Sequence, residues 1–207
     1  MTVASLDRRV FQLFADLLDY PRPGLGPIAE HCAALVGEEV PAAATLLREF
    51  SSFATGSPQA RLEETYTGLF ELDASHHPYV GYHLFGESYK RSAFLLGLKA
   101  RYRRYGIECG TELPDHVAAV LRFLAANEDP EEAQELIREA LYPALGRMAK
   151  GRTEEPPDPD VPQPARPGSP YRGLLHALVL LLETRLPDVR DPAAGTFVDP
   201  QPSLACE

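Results

Sequence analysis

Two neighbouring side chains near the middle of the chain could exchange protons. They are the carboxylate of Asp115 and the imidazole of His116, which lie in the sequence ELPDH at residues 112–116. With Glu87 as a further carboxylate, they could serve the acid–base steps of a hydrolase. Adjacent helical residues point about 100° apart, however, so Asp115 is badly placed to orient the ring of His116. No nucleophile elbow, phosphate loop or metal triad accompanies them. A binding protein and a helical scaffold without a peptide groove are therefore the alternatives to a hydrolase.

A helix is expected to begin at Pro114. Leu113 precedes a proline and is pushed toward an extended conformation, whereas the φ of proline suits the first position of a helix. Asp115 would then fall in the first turn, where a carboxylate meets the positive end of the helix dipole. Apolar residues follow at helical spacing: Val117, Val120, Leu121 and Leu124. Either ELPDH is only a helix-start signal, or Asp115 and His116 face a groove.

A second motif, GESYKR at residues 86–91, opens another predicted helix, which Gly106 ends. Apolar and small residues predict that this helix is long and mostly buried: Phe85, Ala93, Phe94, Leu96, Leu98, Tyr102 and Tyr105. It is also locally basic, through Lys90, Arg91, Lys99, Arg101, Arg103 and Arg104. Most of these cations are typical of a solvated face near a helix C-terminus. Lys90 and Arg91 instead lie with Glu87 at the helix start.

Apolar residues recur at helical spacing along almost the whole chain, and strand-like alternation is absent. Further helices are predicted within residues 6–18, 24–36, 41–53, 59–70, 130–148 and 169–183. Pro143 should kink or interrupt the helix at 130–148. At 207 residues the chain can bury one sizeable core. The predicted fold is all-α, a single-domain bundle of roughly eight or more helices over residues 1–186.

Two stretches are rich in proline. Residues 151–170 combine prolines with acids and few large apolar residues, so they are predicted to form a mobile linker before the last core helix. This linker is either passive or a hinge that lets the last helix move or swap between protomers. The tail, residues 187–207, is predicted to be loosely ordered.

The bulk composition excludes several classes of partner. A net charge of -10 and a pI near 5.1 argue against nucleic acid or an anionic membrane and suit a basic peptide. The three cysteines, Cys32, Cys109 and Cys206, are far apart and are expected to be reduced thiols. His76 and His77 lack the further ligands of a tetrahedral site, so neither a metal nor a cofactor is expected.

Targeting and membrane signals are also missing from the sequence. The first residues lack the uninterrupted apolar stretch of a secretory signal. The longest apolar run, residues 174–182, is about half the length that spans a bilayer, so it is expected to be a core helix. His31 and His176 lie in apolar helical runs and are expected to be core or boundary residues. A cytoplasmic location is expected.

Several segments resemble, in the same order, the TorD/DmsD/NarJ superfamily of redox-enzyme maturation chaperones, with the NarJ branch most similar. They are LLDYPRPGL at 17–25, YTGLF at 66–70, GESYKR at 86–91, YRRYGIE at 102–108 and ELPDHVAAVLRFLA at 112–125. The resemblance covers most of residues 10–126 and fades beyond Pro130. The chain departs from the NarJ pattern at Ser92, where glycine is usual; a small residue there still permits close helix packing.

The resemblance implies an all-helical cytoplasmic chaperone that is not an enzyme. Its client would be the catalytic subunit of a molybdenum-containing oxidoreductase, either nitrate reductase or a related type II enzyme of the DMSO reductase family. The chaperone would bind the N-terminal or leader segment and hold the subunit for cofactor insertion before membrane docking or export. Molybdenum-cofactor synthesis proteins are further candidate partners. The implied client-peptide site comprises Glu112, Pro114, Asp115 and His116, with Tyr66, Phe70, Tyr82, Glu87 and Arg91 near the same face.

Overall fold

The computed structural model describes residues 8–72, 76–108, 112–150 and 169–186, and these residues are almost entirely helical. Across those ranges the only β pairing is an isolated bridge between Tyr79 and His116. The prediction of an all-α, single-domain bundle is confirmed. The helices are α1 (Arg8–Leu17), α2 (Leu25–Val36), α3 (Pro41–Gly56), α4 (Gln59–Phe70), α5 (Val80–Phe85), α6 (Tyr89–Arg104), α7 (Val117–Ala126), α8 (Pro130–Leu136), α9 (Tyr142–Lys150) and α10 (Pro170–Arg185), with a π-helical turn at Ile137–Leu141.

Proline and capping residues set several helix starts. Pro41 and Pro170 occupy the first turns of α3 and α10, where the missing N–H of proline costs no helical hydrogen bond. Asp129 caps α8 and accepts hydrogen bonds from the backbone N–H groups of Glu131 and Glu132, at 3.0 and 3.2 Å. These local signals explain why the sequence located most helices correctly.

The predicted break near Pro143 is also confirmed. A π-helical turn at Ile137–Leu141 separates α8 from α9, and Pro143 is the second residue of α9. Proline has no N–H and its ring collides with the preceding turn of a regular α-helix. The wider π turn therefore lets the segment continue as helix on both sides of the irregularity.

The helices form one continuous core. Helix α3 packs against α2 and α10, α1 packs against α7 and α2, and α5 packs against α6 and α9. Their buried apolar side chains belong to a single cluster that runs from Val10 to Leu186 and includes Cys32. Burial raises the pKa of the Cys32 thiol to about 12. None of the described helices combines the length and the apolar character that a membrane span requires.

Two expectations about burial were wrong. Helix α6 begins at Tyr89 and buries only the line formed by Phe94, Leu98 and Tyr102, so it is not mostly buried. His31 and His176 are exposed, because each lies on the outer face of its helix while the residues beside it enter the core.

The proline-rich stretches lie almost entirely outside the described residues. Of the predicted linker only Ser169 and Pro170 are described, and they already form the start of α10. The tail at residues 187–207 lies outside as well, as do Cys109 and Cys206.

Candidate functional site

Backbone hydrogen bonds fasten the ELPDH segment to the start of α5. The N–H of Val80 donates to the carbonyl of Asp115, and the N–H of Val117 donates to the carbonyl of Pro78, both at 2.7 Å. This pairing holds His116 in an extended conformation, with φ of -61° and ψ of 133°. Helix α7 therefore begins at Val117, and the prediction of a helix start at Pro114 was wrong. Pro114 and Asp115 form a turn before the helix.

Asp115 and Arg91 form a buried ion pair. Nε of Arg91 donates to Oδ2 of Asp115 at 2.9 Å, and an Nη2 contact to Oδ1 measures 3.4 Å. The side chain of Asp115 is 0% exposed and that of Arg91 is 16% exposed. The guanidinium carbon also lies 5.6 Å from the ring centre of Tyr79 and 5.8 Å from that of Tyr82. Arg91 thus joins α6 to both the ELPDH turn and the first turn of α5.

His116 caps α7 from inside the protein. Its Nδ1 accepts a hydrogen bond from the N–H of Ala118 at 3.2 Å, which requires that nitrogen to be unprotonated. Nε2 lies 3.5 Å from the hydroxyl of Tyr66. The ring packs edge-on against Tyr79, with centroids 5.5 Å apart. His116 is only 3% exposed, so these neighbours enclose it.

A partly exposed rim surrounds this buried network. The hydroxyl of Tyr79 donates to Oε2 of Glu112 at 3.0 Å. Burial, followed by this hydrogen bond, raises the pKa of Tyr79 to about 12, so it remains a neutral donor. Glu112 is exposed, Leu113 is 44% exposed, and Tyr79 and Tyr82 are half-buried. We call Tyr79, Tyr82, Glu112 and Leu113 the ELPDH rim.

The structure brings most of the predicted site residues together. Arg91 contacts Asp115 and Tyr82. Nε2 of His116 lies beside the hydroxyl of Tyr66, and the ring centroid of Tyr66 lies 4.8 Å from that of Phe70. Pro114 is buried, and its carbonyl accepts from the hydroxyl of Tyr102 at 2.8 Å. Glu112 belongs to the rim. Glu87 is exposed and, within the described part of the chain, forms no hydrogen bond or salt bridge with the others.

The expectation that Asp115 and His116 face an open groove was wrong. Both side chains are buried, because the turn that contains them is covered by α5 and by the side chain of Arg91. Whether these residues take part in peptide binding stays a prediction, and any contact with a peptide would fall first on the rim.

Tyr79 is the member of this region that sequence reasoning missed. It contacts Glu112, Arg91 and His116, and its backbone pairs with that of His116. The available signal was its spacing of three residues from Tyr82, which places two aromatic rings on one side of a short helix start.

The arrangement is a poor match to an Asp–His acid–base dyad. The carboxylate of Asp115 is directed at Arg91, and the two ring nitrogens of His116 face a backbone N–H and Tyr66. An acid–base pair needs the carboxylate to orient the imidazole and needs access to substrate. Among the described residues there is also no group of three or more His, Cys, Asp and Glu side chains that could hold a metal ion.

The burial of His116 predicts a pH-dependent stability. Burial lowers the pKa of this imidazole below its ordinary 6.5, with Arg122 acting in the same direction and Glu112, Asp19 and Asp115 opposing it. The unfolded chain therefore takes up the proton more readily, and the stability due to neutral His116 is lost as the pH falls below about 6.5. We expect the free energy of unfolding to decrease from about pH 7 to about pH 5, and denaturant titrations at each pH measure it.

Two variants assign this decrease to His116. Asparagine at position 116 keeps a capping acceptor but does not titrate over this range, so His116→Asn should show a smaller decrease than the wild type. His176→Asn, which replaces an exposed histidine of α10, should keep the wild-type decrease. Equal pH dependence in all three proteins would contradict the assignment.

Comparison with known proteins places the chain in a family. No curated protein matches it. The model of the family described as nitrate reductase delta subunit matches residues 36–151, which is more than half of the 207 residues and includes α5, α6, the ELPDH turn and α7. The chain therefore belongs to the nitrate reductase delta subunit family, the NarJ/TorD-type chaperones.

Proposed function

We propose that this chaperone binds the N-terminal segment of the catalytic subunit of a molybdenum-containing oxidoreductase and holds that subunit during cofactor insertion and assembly. The family assignment carries the proposal, because the matched residues include both the GESYKR and the ELPDH motifs. The client is nitrate reductase or a related type II enzyme of the DMSO reductase family. The chaperone acts in the cytoplasm before membrane docking or export, and molybdenum-cofactor synthesis proteins are further candidate partners.

The ELPDH rim is the surface we assign to the client segment. It offers a carboxylate at Glu112, an apolar side chain at Leu113 and the faces of Tyr79 and Tyr82. A peptide with both basic and apolar residues complements this combination, and the net charge of -10 favours its approach. The rim therefore supplies the direct contacts of the proposed complex.

The buried residues have a different part in this proposal. Arg91, Asp115 and His116 join α5, α6 and α7 beneath the rim, through the ion pair, the helix cap and the paired backbone. We infer that they hold the rim in a binding-competent shape and do not themselves contact the peptide. Because binding strength depends on such preorganisation, their replacement affects affinity through the position of Tyr79 and Glu112.

A binding measurement with surface variants tests the proposal without disturbing the interior. Synthetic peptides that cover the N-terminal segments of molybdenum-enzyme catalytic subunits are titrated into the full chain by calorimetry. The double variant Glu112→Gln/Leu113→Ser should raise the Kd by about tenfold, or about 1.4 kcal/mol. The control Glu38→Gln/Leu72→Ser changes an exposed carboxylate and a leucine that is 79% exposed, both outside the rim. It should bind like the wild type.

The outcomes separate the remaining interpretations. If the rim variant binds the peptides as tightly as the wild type, the client site lies elsewhere on the chaperone. Failure of every peptide to bind the wild-type chain would favour a helical scaffold without a peptide groove. Peptides whose basic residues are replaced by glutamine should bind more weakly than their parents if Glu112 and the acidic surface contribute as proposed.

A further inference from the structure

Helix α6 carries an apolar stripe that faces away from the protein. Tyr89 is 87% exposed and Leu96 is 69% exposed, and both Ala93 and Ala100 are also exposed. These four residues are spaced by four, three and four positions, so they lie along one side of the helix. At about 100° per residue, that side is roughly opposite the line by which α6 enters the core. The stripe has no covering element in the described structure.

Cations flank the stripe on both sides. Lys99 and Arg103 lie along one edge and Lys90 along the other, as their spacing from Leu96 requires. Across the described ranges none of these three forms a salt bridge. By contrast, the neighbouring Arg101 and Arg104 both pair with Glu132 of α8. Among the described residues, the stripe is therefore bordered by positive charge that has no acidic partner, on a protein whose net charge is -10.

The side-chain sizes favour a helix as the occupant. Ala93 and Ala100 alternate with the larger Tyr89 and Leu96, and Gly97 beside them has open space where a Cβ would lie. Small residues let a second helix approach closely, and the large ones fill its grooves. Helices that lie on membranes instead present many large apolar residues, and the acidic protein as a whole is repelled by an anionic bilayer.

The charges favour a partner of different sequence over a second copy of this chain. In an antiparallel pair of α6 helices each cationic edge would lie beside the same edge of the copy, and in a parallel pair the edge of Lys90 would lie beside the edge of Lys99 and Arg103. Both arrangements bring cations together, which opposes association. Acidic side chains on either side of an apolar stripe would complement Lys90, Lys99 and Arg103.

We propose that the outer face of α6 docks an acidic amphipathic helix of a partner protein. The stripe extends over about 16 Å, or about three turns, so the complementary segment has apolar residues at spacings of three and four with Asp or Glu beside them. This surface is opposite the side of α6 that carries Arg91 and Phe94, and it is independent of the ELPDH rim. Because the contact is small, the complex is weak and reversible.

The probe is a synthetic helical peptide of about 16 residues, with Leu and Ala in a stripe and Glu on both flanks. Its counterpart has Lys at every Glu position. Fluorescence anisotropy with the full chain should show binding of the Glu peptide, at least tenfold weaker binding of the Lys peptide, and weaker binding of the Glu peptide at high salt. Leu96→Ser should weaken Glu-peptide binding about tenfold, whereas Leu72→Ser, at another strongly exposed leucine outside α6, should not.

Several results would overturn the proposal. One is equal binding of the two peptides, or none of the Glu peptide. Another is binding of the chain to vesicles of phosphatidylserine that Leu96→Ser abolishes, which would make the stripe a membrane surface. A third is a dimer in sedimentation equilibrium that Leu96→Ser dissociates, which would assign the stripe to a second copy. The Glu112→Gln/Leu113→Ser variant should bind the Glu peptide normally, which distinguishes this surface from the ELPDH rim.

Discussion

Replacement of Asp115 by alanine is expected to lower the free energy of unfolding by about 3 kcal/mol. The substitution leaves the guanidinium of Arg91 with only 16% of its side chain exposed and without its carboxylate partner. An uncompensated buried charge is much more costly than the loss of an exposed ion pair. In a chain of this size the change corresponds to a decrease in Tm of about 6–12 °C, which thermal unfolding followed by circular dichroism measures.

Glu135→Ala supplies the matched comparison. Glu135 also pairs with an arginine, Arg101, but its side chain is 49% exposed, so its loss should change stability by less than about 1 kcal/mol. A second variant, Asp115→Leu/Arg91→Met, removes both charges and should be more stable than Asp115→Ala alone. A loss for Asp115→Ala no larger than that for Glu135→Ala would show that the Arg91–Asp115 pair is not effectively buried.

This expectation changes how binding experiments on the ELPDH motif must be interpreted. A chain in which Asp115 and His116 are both replaced by alanine loses a buried ion pair and a helix cap together. Reduced peptide binding by that variant would follow from a displaced rim as readily as from a lost contact. Variants at Glu112 and Leu113, whose side chains are exposed, separate these two causes.

The helices were predictable because their signals are local. Each signal lies within a few residues of the helix that it specifies. Examples are the prolines in the first turns of α3 and α10, the Asp129 cap of α8 and the apolar periodicity. The π turn before Pro143 is a local consequence of the same kind. Such features need no knowledge of the tertiary structure.

The interior of the site depends on contacts between distant segments. Arg91 and Asp115 are separated by 24 positions, and His116 and Tyr66 by 50. The backbone pairing of Tyr79 with His116 moves the start of α7 from Pro114 to Val117, although Pro114 is locally well suited to begin a helix. The resemblance brought most of these residues into one set, but only the fold shows which are buried and which form the rim.

Helix α6 shows a third feature that the sequence alone does not predict. Leu96 and Ala93 were counted as core residues because apolar residues usually avoid water. The structure has no described element over that side of α6, since the helix enters the core only by the line of Phe94, Leu98 and Tyr102. A surface reserved for a partner has the same composition as a surface buried in the core, so periodicity alone does not distinguish them.

Gly81 is where the site leaves the least space, and Gly81→Ala is expected to destabilise the protein by about 2 kcal/mol. A Cβ at this position of α5 would lie 2.8 Å from Oδ2 of Asp115 and 2.9 Å from Cδ1 of Phe94. Neither neighbour can withdraw easily, because Arg91 and the hydrogen bond from the N–H of Val80 to the carbonyl of Asp115 hold Asp115, and because Phe94 is packed in the core. Because the chain contains no tryptophan, unfolding in urea is followed by circular dichroism, which measures the decrease in the free energy of unfolding.

Gly97→Ala is the control for this prediction, because it is the same substitution in a helix with open space around the new methyl group. In α6 the higher helix propensity of alanine should raise stability by up to about 1 kcal/mol. The same gain applies in α5, so the two variants should differ in sign only because of the contacts at Gly81.

If Gly81→Ala were also stabilising, Asp115 and Phe94 would have to move apart without cost, and the rigid support inferred for the ELPDH rim would not exist. A destabilised Gly81→Ala that also binds client peptides less tightly, beside a Gly97→Ala that binds normally, would link the packing under the rim to the affinity at its surface.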